Sequence, residues 1–238
     1  MSTDSATNGT PSIVQVRGLT RHYTQGALTV EALRGVDLDI GSGEFSALMG
    51  PSGSGKTTLL NLIGGLDAPT SGSVVVDGND LSTMSPAQVS QTRLHRIGFV
   101  FQAYNLIPVL SAYENAEFVL MMQGVAPAER RERVMATLQA VGLDGMEHRR
   151  PSELSGGQQQ RVAVARAIAG QPALVLADEP TANLDSKTGH ELVDLMRQLN
   201  EERGVTFVFA THDPKVMRGA RRIVRLVDGR IVEDERRG

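Results

Sequence analysis

The 238-residue sequence predicts an α/β fold: a parallel-sheet core, a small antiparallel layer beside it, and a helical block inserted between strands. Three observations predict this. A glycine-rich loop, Gly50-Pro51-Ser52-Gly53-Ser54-Gly55-Lys56-Thr57-Thr58, lies between two apolar stretches, residues 44–49 and 58–63. It fits G-x-x-x-x-G-K-[ST] at every fixed position, and strand, glycine loop, helix is the context in which that pattern cradles phosphate. Ala173-Leu174-Val175-Leu176-Ala177 is apolar without alternation, as in a parallel strand covered on both faces. Between these two strands, over residues 103–170, helical periodicity replaces strand patterning.

Taken in order, residues 1–11 are Ser-, Thr-, Asn- and Gly-rich and are expected to be a disordered lead. They have neither the basic nor the apolar region of a signal peptide. Residues 13–16 and 36–40 alternate apolar and polar, and residues 72–77 are rich in valine; these predict the antiparallel layer. Residues 97–101 read as a buried strand with Gln102 at its end. Ser111-Ala112-Tyr113-Glu114 has the form of a capping box, opening a helix that carries Phe118, Val119 and Met122. Pro127 opens a second helix, with Val134, Leu138 and Val141 on one face. A third follows Ser155. The helix after Asp185 places Leu192, Leu195, Met196 and Leu199 together, residues 205–210 form the next buried strand, and Asp228-Gly229 centres a hairpin.

Composition narrows the function. Hydrophobic residues make up 40% of the chain, enough for a substantial core. With 24 basic and 27 acidic residues the net charge is −3, which gives no electrostatic case for nucleic-acid binding. Absence of cysteine removes disulfides, thiolate metal sites and a cysteine nucleophile. No window approaches the roughly 20 apolar residues of a membrane span, so the chain is expected to be soluble and to meet any membrane through a partner.

The loop is expected to bind a nucleoside triphosphate, with Lys56 reaching the β- and γ-phosphates and Thr57 holding Mg²⁺; a chance glycine-rich turn is the bland alternative. Asp178 and Glu179 follow a buried strand. The first is placed to hold Mg²⁺ and the second to act as general base for water, with a capping pair before Pro180 as the alternative. Ser155-Gly156-Gly157-Gln158 can cap a helix whose bare N-terminus admits an anion. His212 and Gln102 each end a strand; alone, one is more often structural and the other a surface amide.

The order of these motifs resembles the ATP-binding-cassette ATPases along nearly the whole chain. That resemblance implies a P-loop NTPase fold with a RecA-like parallel-sheet core, in one ATPase domain over residues 12–236. Residues 12–102 and 171–236 would form the nucleotide-binding core and β layer, and 103–170 the helical subdomain. ATP and Mg²⁺ are the implied substrate and ion. Tyr23 would stack on adenine (a core tyrosine is the alternative), residues 50–58 would be the Walker A loop, and Gln102 would touch Mg²⁺ or the attacking water. Residues 155–158 would be the signature motif, Asp178 the Walker B carboxylate, Glu179 the catalytic carboxylate, Asp185 the D-loop residue and His212 the contact to the γ-phosphate.

Residues 29–36, 61–67, 105–108 and 177–185 are similar to the lipoprotein-release and macrolide-export group, apart from Ala182, where many relatives carry glycine. The implied active form is a head-to-tail dimer of this chain, each ATP lying between the 50–58 loop of one copy and residues 155–158 of the other. The implied partners are integral-membrane permease subunits on separate chains, with the ATPase peripheral on the cytoplasmic face of the membrane. A regulatory ATPase of a non-transporting complex, as in cell division, is the alternative. The loop after Gln102 is apolar and either receives the permease or packs in the core.

Overall fold

The computed structural model describes residues 12–26 and 28–237, so the expected disordered lead lies outside the described residues. A six-stranded sheet has the order β10-β9-β3-β8-β7-β6, and a four-stranded sheet the order β2-β1-β4-β5. The strands of the larger sheet are β3 (Phe45–Met49), β6 (Ile97–Phe101), β7 (Leu174–Asp178), β8 (Thr206–Ala210), β9 (Arg222–Val227) and β10 (Arg230–Arg236). All its neighbours run parallel except the β9–β10 hairpin. The smaller sheet is antiparallel throughout: β1 (Ser12–Gln25), β2 (Leu28–Gly41), β4 (Ser71–Val76) and β5 (Asn79–Asp80).

Helix α1 (Lys56–Ile63) lies between the sheets. Its Leu59, Leu60, Leu62 and Ile63 join Leu38 and Ile40 of β2, Leu48 of β3 and Leu174 and Leu176 of β7 in one core. The intervening residues of β7, Val175 and Ala177, face a second core, built with α3 (Ala112–Met122), α4 (Pro127–Ala140), α5 (Gly156–Ala169) and α6 (Ser186–Arg203). Period-two alternation with both faces apolar is why β7 reads as a continuous hydrophobic run. Phe45, Phe207 and Phe209 pack together on this second face, with ring centroids as close as 4.6 Å.

Two expectations are modified, and one helix is added. The strands expected at 13–16 and 36–40 are the inner ends of a 14-residue ribbon, β1 and β2. Its outer half pairs in only two strands, with several register shifts and exposed side chains, so no alternation marks it. Helix α2 (Pro86–Arg96) buries only Thr92 and so has no apolar stripe, although Ser85 and Gln88 form a full capping box before it. On α3, Phe118 and Met122 stay exposed, at 38% and 56%. The buried apolar positions are Ala112, Ala116 and Leu120, spaced four apart, which lets α3 approach α5 closely.

Two contacts shape the helical block. Asn115, fully buried on α3, accepts from the Ile107 N–H and donates to the carbonyls of Ile107, Leu110 and Ser111. It therefore supplies the backbone partners that the 103–110 loop lacks. Leu106 packs on the second core, as the core alternative expects, while Val109 is 71% exposed. Gly157 lies against α6: a Cβ there would stand 2.3 Å from Thr188 Cγ2.

Asn115→Ala leaves buried loop groups unpaired and should cost about 2 kcal/mol, lowering the thermal midpoint by roughly 4–8 °C; calorimetry measures it. Gly157→Ala should cost about 1–3 kcal/mol through overpacking. Combining it with Thr188→Ser, which deletes the clashing methyl and keeps the hydroxyl, should recover most of that loss in denaturant melts.

Candidate active site

Loop 50–58 forms where β3 ends, and its shape is imposed by its neighbours. A Cβ on Gly50 would lie 2.1 Å from the Leu226 carbonyl oxygen of β9, so only glycine fits. The hairpin turn at Asp228-Gly229 touches the loop again: the Gly229 N–H donates to the Ser54 carbonyl at 3.1 Å, and the Arg34 N–H of β2 donates to the Gly229 carbonyl at 2.9 Å. Lys56 Nζ donates back to the Gly50 and Pro51 carbonyls at 2.8 and 3.0 Å. An N-terminal helix end, backbone N–H groups and a lysine thus converge on one concave loop.

All nine loop residues line an open cleft of about 780 Å³, with Tyr23, Val30, Glu31, Ala32, Gln102, Glu179, Ala182 and His212. Asp178 does not itself line the cleft but is joined to it through Thr57, whose hydroxyl donates to it at 3.2 Å. Burial pushes the Asp178 carboxyl above the usual range; the Thr57 hydrogen bond opposes this, nearby Glu179 adds to it and Lys56 opposes it. A hydroxyl and a half-buried carboxylate at the end of a strand are the two hard-oxygen donors that Mg²⁺ takes from protein when phosphates and water fill its other positions. Among the described residues there is no cluster of three or more His, Cys, Asp and Glu side chains able to hold a metal without such help.

Glu179 sits in the left-handed region, φ 45°, immediately after β7. Its N–H donates to the Ala210 carbonyl at 2.9 Å, so the end of β8 fixes this strained turn. His212 Nδ1 donates to Glu179 Oε1 at 2.6 Å and the Thr211 hydroxyl to Oε2 at 3.0 Å. The carboxylate is 18% exposed and the imidazole 76%, so the imidazole forms the solvent-facing lip of the pair. Tyr23 is 39% exposed, which removes the core-tyrosine alternative.

Ser155, Gly156, Gly157 and Gln158 do not line this cleft. The Ser155 hydroxyl accepts from the Gln158 N–H at 3.3 Å and Gln158 Oε1 accepts from the Ser155 N–H at 2.9 Å, the reciprocal box that its sequence predicts. Asp185 is also outside the cleft: it caps α6, accepting from the Lys187 and Thr188 N–H groups and the Thr188 hydroxyl. The Thr188 hydrogen bonds hold its carboxyl below the usual range.

Several supporting residues escape sequence reasoning. Gln160, fully buried on α5, donates to the carbonyls of Pro180 and Phe101, tying that helix to the turn after Glu179 and to the strand before Gln102. Arg166 donates to the carbonyls of Tyr104 and Asn105, both at positive φ, and burial lowers its pKa. The Thr181 hydroxyl donates to Asp213 at 2.7 Å. Thr211 and Asp213 flank His212, and that adjacency is the one signal the sequence offered for them.

Residues 33–182 match the ABC transporter family. The lipoprotein-releasing system ATP-binding protein LolD of Anaeromyxobacter dehalogenans is 50% identical over 222 residues, 93% of each chain. The macrolide export ATP-binding/permease protein MacB of Syntrophobacter fumaroxidans is 48% identical over 94% of this chain but 31% of its own length. A dimeric, post-hydrolysis structure of the ATP-binding cassette MJ0796 of Methanocaldococcus jannaschii, bound to ADP and Pi, superposes with a TM-score of 0.87 at 45% identity, covering 94% of this chain and 99% of that one. These names do not favour the cell-division alternative. No helix among the described residues is long and apolar enough to cross a membrane. Its phosphate loop, the carboxylates at the end of β7 and this likeness together place the chain in the ABC transporter family, as the ATP-binding and ATP-hydrolysing cassette.

Proposed function

We propose that the chain hydrolyses ATP only as a head-to-tail pair, each cleft being closed by Ser155, Gly156, Gly157 and Gln158 of a second copy, and that closure and opening drive a membrane permease. One observation carries this reading. The cleft gathers Tyr23, the 50–58 loop, Gln102, Glu179 and His212 on one side, while the capped N-terminus of α5 stands outside it. That helix end offers an anion site that the same chain's cleft does not use.

In the closed pair, the 50–58 backbone and Lys56 hold the β- and γ-phosphates, exchanging the Gly50 and Pro51 carbonyls for phosphate oxygens. Thr57, Asp178 and Gln102 are the residues that would hold Mg²⁺, which when bound neutralises phosphate charge. Glu179 accepts a proton from the attacking water, and Thr211 and His212 fix the direction of its carboxylate. His212 is exposed enough to reach the γ-phosphate as the cleft closes. Positioning and charge stabilisation dominate such a reaction, since phosphoryl transfer to water leaves little covalent work for protein. Asp185, holding the start of α6, sets the D-loop that faces the second copy. ATP shifts the population toward the closed pair because its phosphates contact both copies only there.

The permease docks beside the loop after Gln102, at a groove of about 260 Å³ lined by Phe99, Phe101, Asn105, Val119 and Arg166. Its substrate belongs to the cell envelope or is exported, as the names LolD and MacB suggest. The chain then sits at the cytoplasmic face of the membrane through that partner.

Glu179→Gln should keep ATP affinity within about threefold, lower turnover at least a hundredfold, and convert monomer to dimer on adding ATP; light scattering and phosphate release measure both. Rapid hydrolysis by the purified variant would overturn the assignment of the base. Lys56→Ala should weaken ATP binding at least tenfold in titration calorimetry.

A further inference from the structure

We propose that Arg21 and Asp67 are positioning residues for the nucleobase: together they lock the Tyr23 ring so that one face is offered to the cleft. The proposal rests on the reading of Tyr23 as the residue that stacks on adenine. Arg21 and Tyr23 are two apart on β1 and so share a face of the ribbon. The guanidinium carbon of Arg21 lies 4.5 Å from the Tyr23 ring centroid, capping one face. Arg21 Nε donates to Asp67 Oδ2 at 2.9 Å and its Nη2 lies 2.8 Å from Oδ1, a two-point pairing. The Tyr23 hydroxyl donates to the same Oδ2 at 2.7 Å. Asp67 is itself tied down, accepting from the Ala68 N–H at 2.8 Å just past the end of α1.

The geometry removes the freedoms of the ring one by one. Its tip is held by Asp67 and one face by Arg21; the surface that remains lines the cleft with the phosphate loop. Neither Arg21 nor Asp67 lines that cleft, so both act through Tyr23. An exposed aromatic on a two-stranded ribbon would otherwise rotate, and the ordering would be charged against nucleotide affinity. Because Asp67 hangs from the helix that the phosphate loop opens, the lock also sets the distance between base and phosphate subsites.

The test uses the full chain with Mg²⁺ and two probes, ATP and inorganic tripolyphosphate, which lacks a base. Asp67→Ala should raise the Kd for ATP about tenfold and leave tripolyphosphate within about twofold. Arg21→Met, in the two-stranded outer half of the ribbon, should raise the ATP value about threefold with the same selectivity. Unchanged ATP affinity in both variants overturns the proposal, and so does an equal loss for both probes, which would mark damage to the end of α1. Tyr23→Ala separates the two readings: if it leaves ATP binding intact, the stacking assignment itself fails. If it weakens ATP alone while Asp67→Ala does not, the lock fails and the stacking stands.

Discussion

The contact between the phosphate loop and the backbone of β9 is the constraint on which the nucleotide site depends. Gly50 lies so close to the Leu226 carbonyl that no side chain fits between them. Two further backbone hydrogen bonds run from Arg34 of β2 through Gly229 to Ser54. The loop is therefore held by main-chain groups from both sheets. Main-chain contacts of this kind cost no rotamer entropy, and they explain why so short a loop can present several donors in one direction.

Charge is arranged around that rigid loop with each group already engaged. Lys56 is folded back onto carbonyls, Asp178 on Thr57, and Glu179 on His212 and Thr211. A ligand does not find naked charges; it exchanges one set of partners for another. Such exchange keeps half-buried ions from being stranded, which would cost far more than the hydrogen bonds they trade. Gln160 and Arg166 extend the same arrangement into α5, so that the helix carrying Ser155 is mechanically continuous with the turns at Glu179 and Gln102.

Most of the fold was legible because local signals and burial agree. Strand β6, the capping boxes at Ser111 and Ser155, the Val134–Leu138–Val141 stripe and the Asp228-Gly229 turn all follow from patterns of a few residues. What was not legible depended on distance. Helix α2 has no buried stripe, and the outer ribbon of β1 and β2 has only one layer of contacts, so neither leaves a period in the sequence. On α3 the large residues misdirect, since Ala112 and Ala116 make the close contact and Phe118 and Met122 stay out. The residues of the cleft were readable as motifs, but their supports were not. Gln160 looks like one more glutamine in a run of three, and Arg21 and Asp67 meet across 46 positions.

The hairpin turn at Gly229 has a consequence for the order in which a working molecule comes into being. Chain elongation delivers β3 and the glycine loop first, but the strand and turn that clamp them follow only after the whole helical block and β7 and β8. A nascent chain on the ribosome thus carries a complete phosphate motif with an unclosed wall. Its nucleotide site is closed only once β9 and its turn have been made, which ties the shaping of the phosphate loop to the arrival of a distant part of the chain.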